Sequence, residues 1–370
     1  MGNSTKPVLV IIPSLRGGGA ERTVPLIFDS ISARTHASVT LLILDSGNSL
    51  VDISQHKNIR VLYPKLSIPL WKIFTCLSLI KNHEIIAFTM WHTALLGIIL
   101  RSFGLFTRKL FVVLERNSLA NRLNDKTFKG RLYFLVFKKR VRYMDIVISV
   151  AGFIIEEYKH HGICLPRGGM VSIPNPVYKH YIDRSLKPEE KSIKLVGVGR
   201  FELQKNFEFL IQIVRHLRDK YRMEVYLDIY GGGALRARYL RLIEKYDLDA
   251  LVRLHGYTHD IGSRMQNASL IVIPSIYEGF PSVLLDALQT DTPILCSENI
   301  KSLNEIEGLG NCLVGIAPLE IFQFGEQILR LTNAGRVSVD QSAARASVLN
   351  RFDIGSISSR YWSQIVSVNQ

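Results

Sequence analysis

Short apolar runs alternate with longer mixed stretches along the whole chain. Runs at Val8–Pro13, Ser38–Leu44, Ile85–Thr89, Leu110–Leu114 and Ile146–Val150 place apolar residues at mostly consecutive positions. Such runs predict strands covered on both faces. The stretches between them are long enough for helices, the first from Ala20 to about Ala33. This alternation predicts a mostly parallel sheet. The series stops at Ile173-Pro-Asn-Pro-Val177, because two prolines cannot continue a central strand or a helix. The charged stretch from Asp183 to Ser192 reads as a linker. The alternation then restarts with strands at Lys194–Val198, Glu224–Ile229, Val252–Leu254, Leu270–Ile273 and Ile294–Cys296. A helix from about Asn206 to Lys220 carries Phe207, Leu210, Ile211, Val214 and Leu217 on one face. Ile354–Val368 is helical in pattern.

Two such series in 370 residues suit two α/β domains of roughly 180 residues each. The expected fold is two Rossmann-like, doubly wound domains facing across a cleft that holds the ligand. The expected boundaries are 1–182 for the first domain, 183–192 for the linker, 193–352 for the second domain and 353–370 for a final helix.

Charge separates the halves. Residues 1–185 hold 25 Lys and Arg against 11 Asp and Glu, whereas residues 186–370 hold 21 of each. The whole excess of +14 therefore lies in the first half. Lys126–Arg142 concentrates it, with seven basic residues, no acidic one, and the run Leu132–Phe137 in the middle. As a helix this is a basic amphipathic segment suited to an anionic membrane surface. A buried helix with a solvated basic rim is the plainer alternative. Nucleic acid is disfavoured, because no recognisable binding motif accompanies the charge. The longest apolar stretch, Ala94–Leu100, is far short of the roughly 20 residues of a membrane span. No secretory signal is read at the N-terminus, and Cys76, Cys164, Cys296 and Cys312 read as scattered, reduced core residues. The expected location is cytoplasmic, peripheral on the inner face of the cytoplasmic membrane.

Chemistry concentrates after the fourth strand of the second series. The turn carries Glu278, Gly279, Phe280 and Pro281, and a helix opens at Pro281 and Ser282. Backbone N–H groups of Phe280, Ser282 and Val283 are placed to meet an anion, with Asp286 one turn further along. Gly197-Val-Gly-Arg-Phe-Glu-Leu-Gln-Lys-Asn206 sets Arg200 and Lys205 on a strand-to-helix turn, where they can neutralise a diphosphate leaving group. A positive pair there opposes the helix dipole, which favours binding over stability as its reason. Gly17, Gly18 and Gly19 follow the first strand, where glycine lets backbone approach a phosphate. Asp247-Leu-Asp249 resembles a metal-binding D-x-D but sits where a helix ends, so neither a metal nor another cofactor is expected. His92 and Glu115, after two first-domain strands, are acceptor-side candidates with Arg116.

The run Tyr277-Glu-Gly-Phe-Pro-Ser-Val-Leu-Leu-Asp-Ala-Leu288 resembles the acidic signature of family-4 glycosyltransferases, retaining enzymes of the GT-B fold. Gly17-Gly-Gly-Ala-Glu-Arg22, Arg200 with Gln204-Lys-Asn206, and Ile173-Pro-Asn-Pro176 resemble further motifs of that family. The family usually has two glutamates with seven residues between them; here the second position holds Asp286, and Arg116 stands where many relatives have histidine. The resemblance implies transfer of a sugar from a nucleotide sugar, a UDP-sugar, to a lipid-linked glycan such as a polyprenyl-diphosphate sugar. The setting it implies is O-antigen, capsule or related polysaccharide synthesis. Glu278 would orient the donor sugar, Asp286 would hold the ribose, and Arg200 and Lys205 would stabilise the diphosphate. The loops of Gly17–Gly19, Gly231, Gly233 and Tyr257 would shape the donor pocket. The first domain would bind the acceptor, capped by the terminal helix. A sugar-nucleotide hydrolase or epimerase, and a non-catalytic binding partner, are the competing readings.

Overall fold

The computed structural model describes residues 6–368 except 46, 48, 67, 124–126 and 188–191. The chain divides into two compact units, Met1–Pro176 with Phe352–Gln370, and Val177–Arg351.

The first unit holds a seven-stranded parallel sheet. Its strands are β1 (Val8–Ile12), β2 (Val39–Ile43), β3 (Ile59–Leu62), β4 (Ile85–Thr89), β5 (Leu110–Glu115), β6 (Ile146–Ser149) and β7 (Met170–Ser172). They lie in the order β3-β2-β1-β4-β5-β6-β7. Val8 pairs with Val39 on one side and Ile85 on the other, so β1 is central and apolar at every position. Val8, Val10 and Ile12 point into a core shared with Val24, Ile27, Phe28 and Ile31 of the helix Gly19–Thr35. Ile357, Tyr361 and Ile365 of the helix Ile354–Ser367 complete that core, so this helix belongs to the first unit. Leu9 and Ile11 face the opposite way. Right-handed crossovers put the helices Pro69–Asn82, Trp91–Ser102 and Phe128–Arg140 on that second face. Gly97 lies against the Phe88 ring there, too close for a Cβ without displacement.

The second unit holds a six-stranded parallel sheet. Its strands are β8 (Ile193–Val198), β9 (Val225–Tyr230), β10 (Val252–His255), β11 (Leu270–Ile273), β12 (Ile294–Ser297) and β13 (Val314–Ala317), in the order β10-β9-β8-β11-β12-β13. The helix Phe207–Tyr221 buries the five apolar residues its periodicity predicts, with Phe209 and Ile213 beside them. Each such side chain contributes about 1.5–3 kcal/mol when fully buried. In both sheets the winding direction reverses at the first strand, between β1 and β4 and between β8 and β11. Those reversal points are where open α/β sheets take ligands, beyond the strands' carboxyl ends.

Three strands are missed by the apolar pattern. β3 (IRVL) and β7 (MVS) are short edge strands and only partly buried, and β13 (VGIA) alternates because it too is an edge. The first unit ends at Pro176, ahead of residue 182, and the stretch read as linker falls within the second unit. Among the cysteines, Cys164 is exposed, which corrects its reading as a core residue; the other three are buried and all four are free. Asp247 has φ 52° just past the helix Arg236–Lys245, a helix-terminal conformation. Among the described residues, no group of side chains is arranged to hold a metal ion, and no helix is long and apolar enough to cross a membrane.

Candidate active site

The loops after β8 and β11 meet at the reversal point of the second sheet. Gln204 stitches them together. Its side-chain N–H donates to the Tyr277 carbonyl at 2.9 Å and to Glu278 Oε2 at 3.2 Å, and its backbone carbonyl accepts from Ile276 N at 2.9 Å. Glu278 is 7% exposed. Its Oε1 accepts from Ser275 Oγ at 2.7 Å and from Lys205 Nζ at 2.5 Å. Lys205 and Glu278, read separately in the sequence, therefore form one buried ion pair held by two neutral donors. Gln204 enters the sequence reading only as a member of the Arg200/Gln204-Lys-Asn206 motif, with no role of its own, and Ser275 is a part of this site that motif reading passes over.

The local backbone explains the residues around the pair. Asn206 takes φ 55°, ψ 37° at the N-cap of the helix Phe207–Tyr221, a left-handed conformation that asparagine tolerates. Gly231, at φ 141°, lies so close to the preceding loop that a Cβ would stand 2.0 Å from the Gly199 carbonyl oxygen. Gly233, at φ 149°, lies against the Phe201 backbone, where a Cβ would stand 2.8 Å from its carbonyl oxygen. Phe201 N donates to Gly232 O at 2.7 Å and Gly199 N to Tyr230 O at 3.0 Å. The glycines thus fuse the loops after β8 and β9 into one rigid rim. Arg200 is half-exposed on that rim, 3.1 Å from Glu202, and leaves its fork accessible.

Asp286 lies on the seven-residue helix Ser282–Leu288 and is 2% exposed. His180 Nε2 stands 3.0 Å from its Oδ1, both side chains being nearly inaccessible. The approach is close enough for an ion pair but is not aligned as a hydrogen bond. Gln289 fixes this segment by donating to Tyr178 O at 2.9 Å. Gly279, Phe280 and Pro281 are buried, while Ser282 and Val283 are partly open. Beyond β10, Tyr257 is 38% exposed, with its ring edge-on to His259. His255 stacks on Tyr230 at 4.5 Å and donates to Asp228 at 2.7 Å, while Lys194 reaches the other Asp228 oxygen at 3.1 Å. Burial works against ionisation of Asp228, but the His255 and Lys194 hydrogen bonds together hold its carboxyl below the usual range.

In the first unit, Glu21 caps its own helix. It accepts from Gly18 N at 2.8 Å and Ser14 Oγ at 2.6 Å, which orders the glycine loop. Of the three glycines only Gly17, at φ 86°, needs a left-handed backbone. Met90, at φ 66°, ψ 151°, occupies a strained region at the end of β4, directly before Trp91. The His92 side chain lies outside the described part. Glu115 and Arg116 are buried in structural networks. Glu115 pairs with Arg122 and accepts from Tyr158 at 2.7 Å. Arg116 donates to Tyr361 at 2.8 Å, to Thr23 at 2.6 Å and to Asn175, joining three segments of the unit. Burial raises the hydroxyls of both tyrosines, although the neighbouring arginines oppose it.

A buried carboxylate–ammonium pair, a half-exposed guanidinium and a glycine-fused rim thus come together at the reversal point of the second sheet. Residues 179–342, nearly the whole second unit, match the family described as glycosyl transferases group 1. The protein is a glycosyltransferase, and its second unit belongs to that group. The chain is 25% identical over 300 residues to the amylovoran biosynthesis glycosyltransferase AmsD of Erwinia amylovora, covering 78% of this chain and 80% of that one. Over 114 residues it is 27% identical to the N-acetylgalactosamine-N,N'-diacetylbacillosaminyl-diphospho-undecaprenol 4-alpha-N-acetylgalactosaminyltransferase of Campylobacter jejuni, 31% of this chain and 30% of that one. The GT-B fold is shared with Anabaena Alr3699/HepE, solved in complex with UDP and glucose. The TM-score is 0.74 at 15% identity, covering 98% of this chain and 100% of that one.

Proposed function

We propose that the protein transfers a sugar from a UDP-sugar to a lipid-linked glycan, such as a polyprenyl-diphosphate sugar, in bacterial surface polysaccharide synthesis, with retention at the anomeric carbon. The observation that carries the reading is the Lys205–Glu278 pair at the β8/β11 reversal point, 2.5 Å apart and held by Gln204 and Ser275. Arg200 and Lys205 stabilise the diphosphate as the glycosidic bond to it breaks, which is the dominant electrostatic demand of the step. Lys205 exchanges part of its bond to Glu278 for the phosphate, and Glu278 then meets the donor hydroxyls. Asp286, held by His180, takes the ribose. Gly231, Gly233 and Tyr257 border the nucleotide, and the first unit receives the acceptor. The departing phosphate takes the proton of the incoming hydroxyl, so no enzyme nucleophile is required.

The relative named for a diphospho-undecaprenol acceptor and the neighbour solved with UDP support the acceptor and donor classes. The basic helix Phe128–Arg140 supports contact with an anionic membrane surface, with the protein peripheral on its cytoplasmic side. Its Phe128, Leu132 and Leu135 are exposed among Lys and Arg. Saturation-transfer NMR against UDP- and GDP-sugars tests the donor. One UDP-sugar is expected to bind and to lose binding in Arg200→Ala/Lys205→Ala; no binding to any nucleotide sugar would overturn the reading.

A further inference from the structure

The most exposed run of large apolar side chains in the described structure lies neither at the candidate site nor on the basic helix. Leu66, Ile68, Leu70, Trp71, Ile73 and Phe74 stand open within nine residues, Leu70 at 63% and Phe74 at 58%. They belong to the connection after β3 and to the first half of the helix Pro69–Asn82. Leu70, Ile73 and Phe74 fall at i, i+3 and i+4, one stripe of that helix. Cys76 and Ile80, a quarter-turn away on the wheel, are its buried anchors. The helix is therefore moored by its second half, and its first half presents apolar surface outward. An exposed contiguous patch of this kind marks a docking surface rather than ordinary surface scatter.

The charges nearby indicate what covers it. Between Arg60 and His83 the chain carries Arg60, Lys65, Lys72 and Lys81 and no acidic residue. Protein interfaces are depleted in lysine at their cores, whereas a bilayer interface takes apolar side chains and tryptophan with lysine around them. The placement agrees. Pro69 begins its helix after the carboxyl end of β3, the same sheet edge from which Gly17–Gly19 follow β1 and Met90 follows β4. Phe128, 85% exposed, opens the helix Phe128–Arg140 on the same face of the sheet.

We propose that Leu66 and the segment Ile68–Phe74 form a membrane-docking element, seated in the interfacial zone of an anionic phospholipid bilayer. It goes beyond the contact assigned to the basic helix, because here apolar insertion rather than charge supplies the hold. The basic helix steers the protein to the surface, and this segment fixes the height and tilt of the first unit on it.

The test uses the full chain with vesicles of phosphatidylglycerol and phosphatidylethanolamine, and with phosphatidylcholine vesicles as control. Co-sedimentation on the anionic vesicles is expected to fall by about tenfold or more in Leu66→Ser/Ile68→Ser/Leu70→Ser/Phe74→Ser. Because these side chains are exposed, the variant is expected to keep its circular dichroism and its UDP-sugar binding. Phospholipids brominated high on the acyl chain are expected to quench tryptophan fluorescence in the unaltered protein, and the quenching to disappear in Trp71→Phe. Unchanged partitioning of the serine variant, or quenching that survives Trp71→Phe, would overturn the proposal. A patch that instead holds two copies of the chain together would overturn it too, shown by a dimer that the serine substitutions dissociate without vesicle binding in either form. Donor binding by the same preparations separates the two readings: its absence would count against sugar transfer while leaving the docking result intact.

Discussion

Lys205 and Glu278 are each nearly buried, and each is tolerable only because of the other. Removing one partner of such a pair leaves a desolvated charge, at a cost of about 3–5 kcal/mol. Lys205→Met is therefore expected to destabilise the second unit by about 3 kcal/mol, and Lys205→Met/Glu278→Gln to recover part of the loss. Calorimetric unfolding of the two variants checks this; equal losses would mean that the pair is not coupled. Glu278→Ala is expected to cut transfer by about a hundredfold or more, in the range found when one preorganised polar group is removed from a reacting centre. Asp228 makes a pH prediction. Its depressed carboxyl contributes stability that is complete above the unfolded carboxylate range, near pH 4, and is lost as pH falls through its lower folded value. Unfolding of Asp228→Asn between pH 3 and 5 should lack that part of the slope. At this scale the acidic turn, Arg200 and Lys205 were legible because charge placed on a Gly/Pro turn is conspicuous. The partners were not: Ser275 and His180 are ordinary polar residues in the chain, Gln204 was legible as a motif member but not as a partner of Glu278, and only the folded loops bring them to the carboxylates.

Among the elements, the central strands were readable, and of the four edge strands only β10 was. A strand such as β1, apolar at all five positions, has no other stable use, whereas Ile59-Arg-Val-Leu62 pairs on one side only and can carry an arginine outward. The loops behave likewise. Gly231 reads as an ordinary strand-end glycine until its distance from the Gly199 carbonyl shows that nothing larger fits. Gly231→Ala is expected to cost about 2 kcal/mol or more, through strain at a positive φ and separation of the two loops. A loss of UDP-sugar binding larger than the loss of melting temperature explains would locate the damage in the rim. Arg116 belongs to this scale too. Arg116→Ala removes the tie between Thr23, Asn175 and Tyr361, and the first unit should lose about 3 kcal/mol. Tyr361→Phe, which deletes one bond of that network, should cost about 1 kcal/mol.

For the molecule as a whole, the division of labour follows the charge. The unit with the candidate site is nearly balanced in charge, and the unit with the exposed apolar helix and the basic helix carries almost all of the excess. The two-domain plan was legible because each half repeats the strand–helix alternation, and its break falls at Pro176, within the proline-marked segment. What the alternation did not reveal is that the first unit is built from two separated stretches, Ile357, Tyr361 and Ile365 returning to a core begun by Val8, Val10 and Ile12. Synthesis runs in one direction, so the ribosome must deliver all of Val177–Arg351 before that core can close. Until then the nascent first unit leaves open to chaperones and proteases the part of its core that Ile357, Tyr361 and Ile365 cover, and a polypeptide released before Phe352 keeps it open.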